Sequence, residues 1–377
     1  MLLKLAAEGC FSAIAASLDP SLKRSANGRP PKGTNKVSER IEYFDILRAF
    51  AIFGVVAIHS SSTGLQFSEE SVNFNFTVLW RNSLNFSVPM FLAISGFFLA
   101  KKRIRSYGEY IIFLKKQIPR IYVPLLIWSL VWFGLAVLIN NKPIVHELTK
   151  LLIFQSSGSY YFVALIIQYY LLLPIIKRLA NNKGLILSII MSMTMTCAIF
   201  YLRYYTEISL HLILYAGNFV TWLMFFVLGL YLGTSAKIIL SNKFLALLIL
   251  VFYALSCIES YLLIAMFHQA EDAVTAVKAS SFLYSFVLIV FLFNNQNWIS
   301  SKFLKNLGEM SFGIYLIHMF ALTAATIILL RLYPPLQEFS PVYQFALIGT
   351  VLLSCFVCIS VFNSFFSLKQ SKLLGFK

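Results

Sequence analysis

The stretch FDILRAFAIFGVVAIHSSS, residues 44–62, is apolar almost throughout between Phe44 and Ile58, yet it holds Asp45 and Arg48 and ends close behind His59. Positions 45, 48, 52, 55 and 59 advance by threes and fours, the spacing that keeps residues on one helical face. Eleven residues separate Arg48 from His59, which on a helix is three turns plus about 20°, with a rise of roughly 16 Å. The two side chains therefore stack one above the other at opposite ends of a single stripe. A charge at the centre of a membrane helix costs about 2.5–3.5 kcal/mol on insertion scales, so the stripe must face protein or water rather than lipid. A ligand entering from the Arg48 end meets a cation first and an imidazole last, and an imidazole can accept a proton at neutral pH. The plainer account of Arg48 is a snorkelling side chain paired with Asp45, three residues away.

A second stripe lies near the carboxyl end. Ser311, Tyr315 and His318 follow one another at four and three residues, with Glu309 just before them. Polar groups gathered on one face of an apolar helix point into a bundle. They serve there either as interhelical hydrogen bonds or as part of a substrate cavity, with Glu309 open to a second role as partner of basic residues. Glu259, inside another apolar run, has no evident partner in the sequence. His146, His211 and His268 fall in or near loops, where a solvated role suits them.

The elements that must hold these stripes are membrane helices. Of 377 residues, 59% are hydrophobic and 12% charged, and the mean hydropathy is +0.78. A soluble chain of that composition would expose apolar surface it could not cover. We expect an all-α polytopic membrane protein of about ten transmembrane helices, near 44–60, 84–100, 121–140, 160–176, 185–202, 218–234, 244–267, 280–296, 309–330 and 343–366. Basic residues crowd the amino-terminal tail, the 101–120 segment and the carboxyl end. The alternate loops hold few, Arg81 and Lys278 among them, diluted by acids. By the positive-inside rule both termini are then cytoplasmic. The net charge of +16 follows largely from this topology, and no nucleic-acid role is needed to explain it.

Residues 1–40 are expected to be a mobile cytoplasmic leader, since Glu8 interrupts their apolar stretch and a polar, Pro/Gly-rich segment follows. The membrane domain is expected over 41–367 and a cytoplasmic tail over 368–377. The five cysteines are scattered, four of them inside expected spans, and form neither a disulfide framework nor a metal site. Outer loops reach only about 25 residues, too short for an independently folded module.

Asp45, Arg48 and His59 in this arrangement resemble the first-span signature of the membrane acyltransferase-3 family. SVPMFLAISGFFL (87–99) is similar to that family's second-span block, Arg103 and Arg105 in KKRIRSYGEY to its Arg-x-Arg pair, and FLKKQIPRIYVPLLIW to its basic entry into the third span. SYYFVALIIQYYLLLPII (159–176), FFVLGLYLG (225–233) and LGEMSFGIYLIHMF (307–320) follow in the expected order. The resemblance covers residues 40–366. It departs at Ser159–Phe162, where the family often has His-x-Trp. The short, single-module layout and the SVPMF block look most like the O-acetyltransferases of bacterial surface polysaccharides, the enterobacterial common antigen enzyme among them.

The resemblance implies transfer of an acyl group, commonly acetyl, from cytoplasmic acetyl-CoA to a hydroxyl of a surface glycan or its lipid-linked precursor, at the bacterial cytoplasmic membrane and without a metal. Arg103 and Arg105, helped by Arg120, would hold the donor's phosphates. His59 would deprotonate the acceptor, with Arg48 or a hydroxyl such as Ser95 stabilising the oxyanion. Tyr161, Glu309, Tyr315 and His318 are the acceptor-side candidates. The rival class is a glycan or polyol exporter, whose polar stripes would line an alternating-access path. It would have less use for a phosphate clamp.

Overall fold

The computed structural model describes residues 32–206, 210–234, 236–296 and 299–376, with side chains from residue 42 onward. The leader expected over residues 1–40 falls outside these as far as residue 31, and from Lys32 the chain is already helical. All regular structure among the described residues is helical. In chain order come α1 (Lys32–Ser60), α2 (Val72–Leu84), α3 (Ser87–Ala100) and α4 (Tyr107–Gly134). Next are α5 (Tyr161–Ile176), α6 (Asn182–Tyr205), α7 (Leu223–Gly233), α8 (Asn242–Phe267) and α9 (Ala279–Asn294). The last are α10 (Lys302–Glu309), α11 (Ser311–Leu332), α12 (Ser340–Phe365) and α13 (Leu368–Leu373). Serine side chains start several of them: Ser71 accepts from the Phe74 N–H at 3.2 Å and Ser106 from the Glu109 N–H at 3.2 Å.

Eight segments among the described residues are long and apolar enough to cross a bilayer, α2 and α3 counting together as one. The protein is thus a multi-pass, all-helical membrane protein. The two remaining expected spans are α7 and α9, of 11 and 16 residues. Eleven residues rise only about 16 Å, roughly half a hydrocarbon core. Backbone that stops short within a membrane is tolerated where protein surrounds it, and Phe225, Phe226 and Leu228 of α7 are fully buried. Hydropathy alone reads a buried core helix and a span alike, which is why the sequence suggested a full crossing here.

Close backbone approach sets α7 in place. A methyl group on Gly229 would strike the Ala93 carbonyl of α3, so only glycine admits that contact. On α1, Gly308 of α10 abuts the Asp45 backbone in the same way and holds α1 by its Asp45–Arg48 turn.

Two apolar cores flank α1. One is built on Tyr43, Phe44, Phe97, Phe226 and Phe293; the other on Ile52, Val56, Leu316, Leu347 and Val351. Phe50, Phe91, Ile121 and Phe162 pack against both and stay only half-buried. They mark a seam between the cores. Arg48, His59, Ser95, Tyr161 and Tyr170 are half-buried too, although α1 is packed on by α2, α3, α10, α11 and α12. A helix so enclosed exposes its polar side chains to an internal gap or to its ends.

The carboxyl-terminal tail folds back rather than trailing away. Trp128 Nε1 donates to the Leu374 carbonyl at 3.2 Å, and Phe376 is buried against Trp128 and Phe362.

Candidate active site

Register along α1 decides which groups can meet. A methyl on Gly54 would meet Ser87, and the Phe44 and Phe97 rings lie 4.4 Å apart, so α3 runs antiparallel to α1. That register places Ser95 in the same layer as Arg48. It places the second half of α2, including Arg81, within a turn of His59's height. The bundle therefore has a basic end and, about 16 Å away along α1, a histidine end.

At the basic end, Arg48 pairs with the buried Asp45 carboxylate and lies over the Phe98 ring at 5.1 Å. The three-residue spacing on a helix makes that pair. Ser95 donates its hydroxyl to the Phe91 carbonyl at 2.8 Å. Arg48 and Arg120 are both within electrostatic range of the Tyr170 hydroxyl. Arg103 and Arg105 occupy the short segment between α3 and α4. Glu109 fixes that segment by accepting from the Arg105 backbone N–H at 2.7 Å, and Lys177 donates to the Lys102 carbonyl. Both guanidinium groups remain exposed, and among the described residues neither is neutralised by a carboxylate. They line two adjoining clefts: one of about 650 Å³ shared with Lys101, Lys177 and Arg178, the other of about 370 Å³ shared with Lys116 and Gln117.

Glu309 also belongs to this end. It is exposed, within electrostatic range of Lys305, which pairs with Glu42 at 2.7 Å. It ends α10, whereas His318 lies seven residues, about 10 Å, into α11 from Ser311, so the structure does not bring it to the other acceptor-side candidates.

At the histidine end, the His59 and His318 rings lie 5.3 Å apart, centroid to centroid. His318 is fully buried; its Nδ1 sits 2.7 Å from the Tyr315 carbonyl, and its Nε2 has no partner among the described residues. A carbonyl can only accept, so Nδ1 carries the proton of the neutral ring and Nε2 presents its lone pair. A buried nitrogen left unpaired is uncommon enough to require an explanation, such as a ligand it has yet to meet. Tyr315 donates its hydroxyl to the Ser159 carbonyl, and Tyr160 donates to the Leu316 carbonyl at 2.8 Å. This reciprocal lock between α5's entrance and α11 gives Tyr315 the interhelical role. Tyr161 is left half-buried beside it, within electrostatic range of Tyr315.

Sequence spacing missed two features. Arg81, expected in a loop, is in α2, nearly buried, and its Nη1 donates to Glu271 at 2.7 Å. It is within electrostatic range of His59. The Ser71 cap ahead of the apolar positions 74, 76, 78 and 79 was the available signal for that helix. Glu259 does have a partner: it accepts from both the Ser280 backbone N–H, at 3.2 Å, and the Ser280 hydroxyl, capping the start of α9.

The helical membrane bundle thus carries basic clefts at one end and a histidine pair at the other. The acyltransferase domain model of the acyltransferase-3 family matches residues 41–359. The chain belongs to that family and is a membrane acyltransferase. A Bacillus subtilis (strain 168) protein described as "Putative membrane-bound acyltransferase YfiQ" is 26% identical over 320 residues, covering 78% of this chain and 84% of the relative. No solved structure matches the chain significantly.

Proposed function

We propose that this enzyme is an O-acetyltransferase of the bacterial cytoplasmic membrane. It moves an acetyl group from acetyl-CoA, held at the basic end, to a hydroxyl of a surface glycan or its lipid-linked precursor at the histidine end. The observation that carries the reading is the division of labour between the two ends of α1: below, exposed arginines with no ion pair among the described residues, and above, a histidine pair whose His318 Nε2 has no partner among them. With the basic end cytoplasmic, as the charge distribution favours, donor and acceptor arrive from opposite faces of the membrane.

Arg103 and Arg105 bind the nucleotide phosphates by charge-assisted hydrogen bonds. The donor's flexible arm rises along the seam past Arg48, Ser95 and Tyr170, and its thioester reaches the level of His59. The His59 imidazole takes the acceptor's O–H proton as the oxygen attacks the thioester carbon. A C–O bond forms, the C–S bond breaks, and CoA leaves as a thiolate that is then protonated. His318, with Nε2 free, stands next to His59 to orient it or share the proton. Arg48 is too far below to touch the carbonyl that reacts beside His59, so its part lies with the arm and phosphates.

The test is transfer of isotopically labelled acetyl from acetyl-CoA into envelope glycans, compared between wild type and His59→Ala. Removing a general base costs about 10²–10⁴ in rate. His59→Ala is expected to insert normally, to bind acetyl-CoA, and to lose transfer on that scale. A His59→Ala enzyme as active as wild type would refute the assignment. Wild-type protein that moves glycan across vesicles without binding acetyl-CoA would refute the O-acetyltransferase reading.

A further inference from the structure

Around the histidine end lie polar atoms that no fold-level role accounts for. Ser60 Oγ, Thr63 Oγ1, Trp80 Nε1, Arg81 Nε and Gln344 Oε1 are all buried without a hydrogen-bond partner among the described residues, as is His318 Nε2. They come from α1, the turn Ser62–Gln66 that follows it, α2, α11 and α12. Ser60 adjoins His59, and Thr63 follows one turn on. A methyl on the next residue, Gly64, would run into Thr77 and lie 2.5 Å from Gln344 Nε2. Gln344 in turn donates to Thr77 at 2.6 Å, one helical turn before Arg81. The set mixes two N–H donors, two acceptors and two hydroxyls that can do either. Beside it stand the Trp80 ring and, at 6.3 Å, Phe53. Unmet donors and acceptors in alternation, next to flat apolar faces, suit a polyhydroxylated ligand: each hydroxyl gives and takes one hydrogen bond, while the carbon faces lie on rings.

Within this set Arg81 is the charged member, and it is built in. Glu271, on the short turn Ala270–Ala273, takes one arm of the guanidinium at 2.7 Å. Arg203 pairs with the neighbouring Asp272 and so pins the same turn. The guanidinium is planar and rigid, so fixing Nη1 also fixes the direction of Nε–H. We infer that Arg81, held by Glu271, is the residue that positions a polyhydroxylated acceptor against His59, its Nε–H donating to an acceptor oxygen next to the hydroxyl that reacts. The inference rests on the acyltransferase reading of His59. It assigns Arg81 to acceptor binding and gives it no part in holding the donor.

The experiment uses the full-length protein in lipid nanodiscs, with acetyl-CoA as donor and envelope glycan extracted from cells lacking the gene as acceptor. Three quantities are read: acetyl-CoA binding, slow CoA release to water without acceptor, and acetyl transfer to the glycan. Losing a charged hydrogen-bond donor costs about ten-fold or more in rate at limiting acceptor. Arg81→Ala is therefore expected to lose transfer by at least about ten-fold, while binding and CoA release stay within about two-fold of wild type. Arg81→Lys should restore part of the loss. Glu271→Gln changes a half-exposed side chain, so it should leave folding intact and raise the acceptor concentration for half-maximal rate by about three-fold with kcat unchanged. Normal transfer by Arg81→Ala overturns the inference. So does a joint loss of binding, CoA release and transfer that Arg81→Lys fails to repair, which would make Arg81 structural. Wild type that neither binds acetyl-CoA nor releases CoA instead overturns the underlying donor reading, a result distinct from either.

Discussion

The two ends of α1 hold their polar groups in opposite ways. At the basic end the arginines that matter are exposed, standing in open clefts, and among the described residues neither guanidinium forms an ion pair. At the histidine end the polar groups are buried, and those free of partners are fixed from behind: His318 by the Tyr315 carbonyl, Arg81 by Glu271. Charges in water attract at a distance but are screened within about 10 Å at moderate salt. Polar groups taken out of water act only at hydrogen-bond range, and there geometry decides. The lower end is suited to capture, the upper to alignment.

The sharpest way to break this contrast is at His318. In His318→Asn the amide nitrogen can still donate to the Tyr315 carbonyl while the lone pair of Nε2 is lost. The packing is largely kept, so a fall of about 10²-fold in kcat, with KM for acetyl-CoA unchanged, would show that alignment depends on that one nitrogen. An Asn variant with wild-type kcat would reduce His318 to packing. At the other end, changing Arg103 and Arg105 together to Ala is expected to raise KM for acetyl-CoA by about ten-fold and leave kcat alone. Salt separates the two ends further. The wild-type KM should rise with ionic strength, the double variant's much less, and the His318→Asn defect not at all. A salt-insensitive wild-type KM would mean that the clefts do not hold the phosphates.

How much of this was readable beforehand follows from the same physics. Arg48 and His59 share one helix, and helical spacing fixes their stacking whatever packs around them. The Arg48–Asp45 pair is local for the same reason. His318 meets His59 only because α11 packs on α1, a tertiary fact that no spacing encodes. Arg81 hid in a segment too polar to score as a span: Asn73, Asn75, Thr77, Asn82 and Ser83 surround it. Yet the structure satisfies that polarity internally, with Asn82 donating to Ser260 at 2.9 Å and accepting from Ser256 at 2.7 Å. Glu259 looked orphaned for a related reason. Its partner, Ser280, lies on the next helix, beyond the reach of any local pattern.

The smallest effect expected contrasts two lysines, one at each end. Lys278 sits just ahead of α9, nearly buried, with its ammonium donating to Asn82 Oδ1 at 2.8 Å and to the Ser256 and Ala273 carbonyls at 2.9 Å each. Burial lowers its pKa to about 7, against the opposing pull of Glu259 and Cys257. Unfolded, it would titrate at about 10.4. Between those values the unfolded chain binds the extra proton, so this group makes stability rise with pH over that window and removes the gain as pH falls through about 7. Lys305, at the basic end, has the opposite sign. Its hydrogen bond to Glu42 raises its pKa, so what it contributes is present at lower pH and lost on the alkaline side. Because it lies in solvent, the contribution is slight. Thermal unfolding of detergent-solubilised protein at pH 7 to 9.5 can separate them. Relative to Lys278→Met, wild type should gain stability as the pH rises; relative to Lys305→Met, it should stay flat over that range. Parallel wild-type and Lys278→Met curves would mean that the buried ammonium keeps its proton throughout, its cage of acceptors outweighing the loss of water.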